Sequence, residues 1–158
     1  MSIANPKSKI QNRKSEIQNR KSEILRWAAA LIWMSLIFCL SAQPDLPNLT
    51  PGVPHLAEIG GHLTVYGVLA ALLWWALRGA GIRHSTAWAL ALTALYGVSD
   101  ELHQSFVPGR TMTAIDLAFD VVGAGLGLLA ARWLRSLRGG LRPGGVLGRV
   151  LRRLSRAV

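Results

Sequence analysis

Four stretches of the chain are apolar on every side of a helix rather than along one face. The first runs Ile24–Ala42, broken by Arg26; the second is Ile59–Leu77, the third Ser85–Val98, the fourth Ala114–Leu134. A helix that meets water shows it a polar face, and these blocks have none of any width. A helix crosses the hydrocarbon with about 20 apolar residues, within a range of roughly 17 to 25. Blocks one, two and four fit that length. Block three fits if its helix continues into the polar segment 99–107. Four such blocks leave too little chain for a soluble shell. The pattern predicts an all-α fold, an integral membrane bundle of four transmembrane helices.

Composition agrees: 51% of the 158 residues are hydrophobic and 16% charged. The net charge of +10 would suit a nucleic-acid partner, but its placement argues otherwise. Lys7, Lys9, Arg13, Lys14, Arg20, Lys21 and Arg26 precede or open block one. No Lys or Arg lies between blocks one and two, Arg78 and Arg83 lie between two and three, and Arg110 alone between three and four. Arg132, Arg135, Arg138, Arg142, Arg149, Arg152, Arg153 and Arg156 close the chain. Basic loops stay on the cytoplasmic side, so this alternation predicts both termini cytoplasmic and segments 43–58 and 99–113 outside. The expected location is the cytoplasmic (inner) membrane, multi-pass, and no nucleic acid is expected as partner. Cys39 is the sole cysteine and sits inside block one, which excludes a disulfide within the chain.

The organisation is then threefold. Residues 1–26 read as a basic, mostly disordered arm with a seven-residue repeat ("SKIQNRK", "SEIQNRK"). It holds one apolar position per heptad, where a coiled coil needs two. Residues 27–134 form the four-helix membrane domain, with block one retained as an anchor. Residues 135–158 form an arginine-rich tail. In "VLGRVLRRLSRAV" the apolar and basic residues fall on opposite helical faces, the pattern of an interfacial helix that holds anionic lipids.

Polar groups concentrate in "SDELHQSFVPGR", residues 99–110. Charge at membrane depth costs about 2.5–3.5 kcal/mol per group on insertion scales, so it persists where it pairs or serves a site. If block three continues as a helix, Tyr96, Asp100, His103 and Gln104 share one face, with Glu101 on an overlapping stripe. Pro108-Gly109 turns the chain. Block four opens with Asp116 and Asp120, four apart, and the same side carries the Gly123/Gly127 pair that permits close helix packing. Block two contributes His62 and Tyr66, also four apart. The predicted site is a polar pocket near the outer surface, lined by His62, Tyr66, Asp100, Glu101, His103, Gln104, Arg110, Asp116 and Asp120. A bidentate Arg110–Asp116 pair is the first expectation within it. The competing reading leaves Asp100, Glu101 and His103 solvated among headgroups. His62, His103 and the carboxylates could bind a divalent metal, but no H-x-x-E-H or H-E-x-x-H spacing occurs, nor any nucleophile elbow or phosphate loop, so neither metal nor cofactor is expected. An enzyme is therefore disfavoured.

The run "SDELHQSFVPGRTMTAIDLAFDVVGAGLG" resembles the VanZ-like family of bacterial membrane proteins. Asp100, Glu101 and Gln104 match its D-E-x-x-Q, Pro108, Gly109 and Arg110 its P-G-R, Asp116 the following Asp, and Gly123 and Gly127 its glycine helix. His62 and Tyr66 are similar to its His-x-x-x-Tyr helix, and "SAQPDLP" at 41–47 resembles its first outer loop. Asp120 stands where the family usually has Asn, and Glu58 is followed by Ile59 where it often has Lys. The resemblance covers about 27–134. It implies a link to glycopeptide resistance and teicoplanin tolerance; an outward-facing polar site would in addition suit a cell-wall precursor, lipid headgroup or the glycopeptide as ligand. The alternatives are a small cation- or proton-coupled transporter, or a structural or regulatory partner of another membrane protein.

Overall fold

A computed structural model describes residues 6–44, 54–110 and 113–140. The chain is all-α, with four helices: α1 Pro6–Ser41, α2 Pro54–Gly79, α3 Ser85–Gln104 and α4 Ala114–Gly140. Among the described residues there is no strand. Helix α2 is central, touching α1, α3 and α4. Three helices carry segments long and apolar enough to cross a membrane: Lys9–Ser41, Ile59–Gly79 and Ala114–Arg138. Helix α3 does continue through the polar segment to Gln104, as block three required.

Burial is inverted relative to a soluble protein. Leu95 is 67% exposed and Leu129 65%, while Glu101 is 1% exposed and Asp120 0%. Leu31, Ile32, Leu126 and Trp133 also face outward. A helix bundle with its polar groups inside and leucines outside is suited to lipid, whose tails solvate leucine as well as a protein core does. The interior is small-residue packing of Ala30, Ala70, Ala76, Ala89 and Ala124 around Leu69, Leu73, Trp74 and Leu128.

The closest approach is between α2 and α4, at the glycines the sequence singles out. A Cβ on Gly123 would lie 2.5 Å from the Leu63 carbonyl oxygen, and one on Gly127 would collide with Gly67. Gly67, which the sequence reading did not single out, is thus the third member of this seam. Side chains also bond to backbone across helices. Trp33 Nε1 donates to the Val65 carbonyl at 3.0 Å, and Tyr96 Oη to the Met34 carbonyl at 2.6 Å.

The turn from α2 to α3 follows from Gly81. Its N–H bonds the Arg78 carbonyl at 3.2 Å, and the Ile82 N–H bonds Leu77 at 3.0 Å. This Schellman pair places Gly81 at φ +74°, where a Cβ is disfavoured. At that end Arg26 packs against Gly79 and lies 5.6 Å from the Trp75 ring, and Arg78 lies 5.6 Å from Trp74.

One expectation is corrected. Residues from Pro6 are helical rather than disordered, continuous with the first span. The arm is rich in Lys, Arg, Glu and Gln, good helix formers, and extending an existing helix avoids the cost of nucleation. The repeat reappears as a repeated local bond: Ser15 Oγ to the Asn12 carbonyl and Ser22 Oγ to the Asn19 carbonyl, both 2.8 Å. Ile10, Ile17 and Ile24 remain exposed, so they form no coiled-coil seam within the chain. The tail expected to be amphipathic, beyond residue 140, and positions 45–53 of the segment expected outside, lie outside the described residues.

Candidate functional site

The C-terminal ends of α1 and α3 and the N-terminal halves of α2 and α4 meet at one end of the bundle, opposite Arg26 and Arg78. Three carboxylates are buried there: Asp100, Glu101 and Asp120. Each has one oxygen engaged and one without a hydrogen-bond partner.

Asp100 ties three helices together. Its Oδ2 accepts from Ser41 Oγ of α1 at 2.7 Å, Tyr66 Oη of α2 at 2.9 Å and Gln104 Nε2 of α3 at 3.1 Å. Gln104 Nε2 also reaches Ser41 Oγ at 3.3 Å. The i, i+4 step from Asp100 to Gln104 and the matching step from His62 to Tyr66 put these groups in reach, as their spacing predicts. Ser41 lies 59 residues from Asp100 and could not be paired with it from local periodicity.

Asp120 faces α2. Its Oδ1 is 2.8 Å from His62 Nδ1, within hydrogen-bonding distance. Its Oδ2 points toward α3, where a Cβ on Gly97 would come within 3.1 Å of it. Glu101 is one turn further along α3. Glu101 Oε2 accepts the Thr113 N–H at 3.0 Å, just ahead of α4.

Thr113 caps α4. Its Oγ1 accepts the Asp116 N–H at 3.1 Å and donates to Asp116 Oδ2 at 2.6 Å. In a capping box the acid at the third helical position would satisfy the cap residue's own N–H. Here Glu101 from α3 does so instead. The cap therefore fastens α4 to α3. Thr-x-x-Asp at 113–116 is the sequence signal for it.

Two expectations fail against this geometry. Arg110 does not pair with Asp116: its Nε donates to the Gln43 carbonyl at 3.3 Å, and Asp116 is engaged by Thr113. The reason is the turn before it. The Arg110 N–H closes on the Val107 carbonyl at 3.1 Å, with Pro108 next and Gly109 at φ +84°, the pattern of a type II turn. It directs Arg110 to the α1 end. His103 also departs from the carboxylates. Its ring stacks on Phe38 of α1, centroids 4.2 Å apart, and its Nε2 is buried without a partner.

One set departs from any helical metal motif. His62, Glu101 and Asp120 each offer a metal-ligating atom, and the three lie within 4.8 Å of one another. Motif spacing could not reveal it, because its members come from three helices.

A membrane-type bundle of four helices, with a buried acidic cluster at one end and a glycine seam beneath, defines the class of protein. The VanZ/LLP1 family model matches residues 26–135, and the chain belongs to that family. No curated protein and no solved structure matches it.

Proposed function

We propose that this VanZ-like protein is a four-span protein of the cytoplasmic membrane, with α3 as its remaining span and both termini inside. On this reading the acidic cluster lies toward the outer face and binds the polar head of a lipid or lipid-linked wall precursor. The observation that carries it is the set of buried carboxylates, Asp100, Glu101 and Asp120, each with an oxygen left unpaired. A cluster serving packing alone would satisfy those oxygens, since an unpaired buried polar group costs about 1–3 kcal/mol. The basic residues at the opposite end, Arg26, Arg78, Arg83 and Arg135, support this orientation. A role in glycopeptide tolerance follows if the bound head belongs to wall material. Anionic lipids on the arginine-rich tail complete the partners.

The test is complementation of a deletion strain with wild type or Asp120→Asn. Membrane protein level is measured alongside the lipid and wall-precursor profile and glycopeptide tolerance. A variant that accumulates normally but leaves the deletion profile in place supports the proposal. A variant that restores the wild-type profile overturns it. The His62–Asp120 pair within two spans favours a second reading, cation- or proton-coupled transport. Flux in liposomes that depends on Asp120 would select it.

A further inference from the structure

The same cluster, taken as the working site proposed above, has more acid than the described residues balance. Asp100, Glu101 and Asp120 are all at most 4% exposed. They carry a formal charge of minus three against at most plus one from His62. Arg110 contributes nothing, being turned to the Gln43 carbonyl. In a low-dielectric interior, charge is kept only when paired or bound to a metal.

We propose that His62, Glu101 and Asp120 bind a divalent cation. Three observations combine. Their ligand atoms lie within 4.8 Å of one another. Glu101 Oε1 and Asp120 Oδ2, the oxygens left without partners, are buried. Gly97 leaves open the flank of Asp120 that any Cβ would crowd. Ligands about 2.0–2.2 Å from a shared Zn²⁺ are at most about 4.4 Å apart, so the set closes on such an ion with small side-chain movement. A set of two carboxylates and one imidazole suits Mn²⁺ or Zn²⁺ better than Ca²⁺, which takes oxygen alone. Three protein ligands leave positions open to a further ligand. The cation cuts the formal charge of the three acids from minus three to minus one, and its open positions give an anionic head group a cationic centre to bind. Asp100 acts beside it as a positioning residue, holding Ser41, Tyr66 and Gln104 through one oxygen.

The experiment uses the full chain in detergent, purified through a tag without histidine, stripped with chelator and titrated with Mn²⁺ and with Zn²⁺. Ion content, thermal midpoint and, for Mn²⁺, nitrogen coupling in pulsed electron paramagnetic resonance are read. The expected result is one ion per chain, a raised midpoint and an imidazole nitrogen on Mn²⁺. His62→Ala, Glu101→Gln and Asp120→Asn should each bind at least tenfold more weakly, while the exposed Glu16→Gln binds as wild type. Asp120→Asn keeps a hydrogen-bonding oxygen toward His62, so it is the variant least prone to misfold. Should no site variant accumulate, the wild-type stoichiometry and nitrogen coupling decide. Less than a tenth of an ion per chain, an ion without nitrogen coupling, or binding unchanged in all three variants overturns the proposal. The two readings fail separately. Wild type without an ion, in a strain whose profile still depends on Asp120, sinks the cation and leaves the headgroup reading. Asp120-dependent binding with an unchanged profile does the reverse.

Discussion

Asp116 and Asp120 share a helix face and a residue type, yet their surroundings assign them different work. Asp116 closes a cap with Thr113; Asp120 is wholly buried, with one oxygen toward His62 and the other unpaired. Replacing Arg110 and Asp116 singly and together should therefore show little coupling, below about 0.5 kcal/mol in a double-mutant cycle, because no shared partner joins them. Exchanging the two charges should rescue nothing, with membrane accumulation as the readout. A coupling of several kcal/mol would restore the direct pair. The cluster residues Asp100, Glu101, Gln104, His62, Tyr66 and Asp120 were legible from composition and helical spacing. Ser41 was not, since nothing local separates it from an ordinary serine; Thr113 carried a local signal in Thr-x-x-Asp, and Gly97 shares the Glu101 stripe.

Between helices, the α2–α4 seam and the α4 cap carry distinct predictions. Gly123→Ala places a methyl against the Leu63 carbonyl and forces two backbones apart. Overpacking of this kind costs about 1–3 kcal/mol. Gly125, in the same helix, has nothing within 4 Å of its Cβ position. Gly125→Ala should leave stability unchanged or raise it by about 0.5–1 kcal/mol, through the backbone entropy it removes. Unfolding of both variants in detergent, followed side by side, checks the contrast. Thr113→Ala should cost about 1 kcal/mol by removing the cap, and Thr113→Ser should recover most of it. Equal stability of Ala and Ser there would show that the Glu101 link, which uses only the Thr113 backbone, is what secures α4.

Across the molecule, one end gathers Arg26, Arg78, Arg83 and Arg135 and the other gathers the acids. The basic end should lie in the cytoplasm. With Cys39 replaced by alanine, single cysteines at positions 43 and 109 should label from outside intact cells with an impermeant maleimide. Those at positions 16 and 81 should label only after lysis. The opposite pattern would turn the pocket to the cytoplasm and remove outer-face material as its ligand.

Hydropathy by itself determined that the chain is helical and built for lipid, because uninterrupted apolar blocks have no other stable arrangement. The placement of charge supplied an orientation to test, and short-range spacing identified which polar side chains share a face. The partners of those side chains were decided by tertiary structure. Asp100 meets Ser41 and Tyr66, Glu101 meets the α4 cap, and Asp120 meets His62 only after α2 and α4 close on Gly67, Gly123 and Gly127. Periodicity reports neighbours within one helix. Which helix lies opposite, and how near, depends on where glycine lets two backbones touch and on where a Pro-Gly turn aims the chain that follows it.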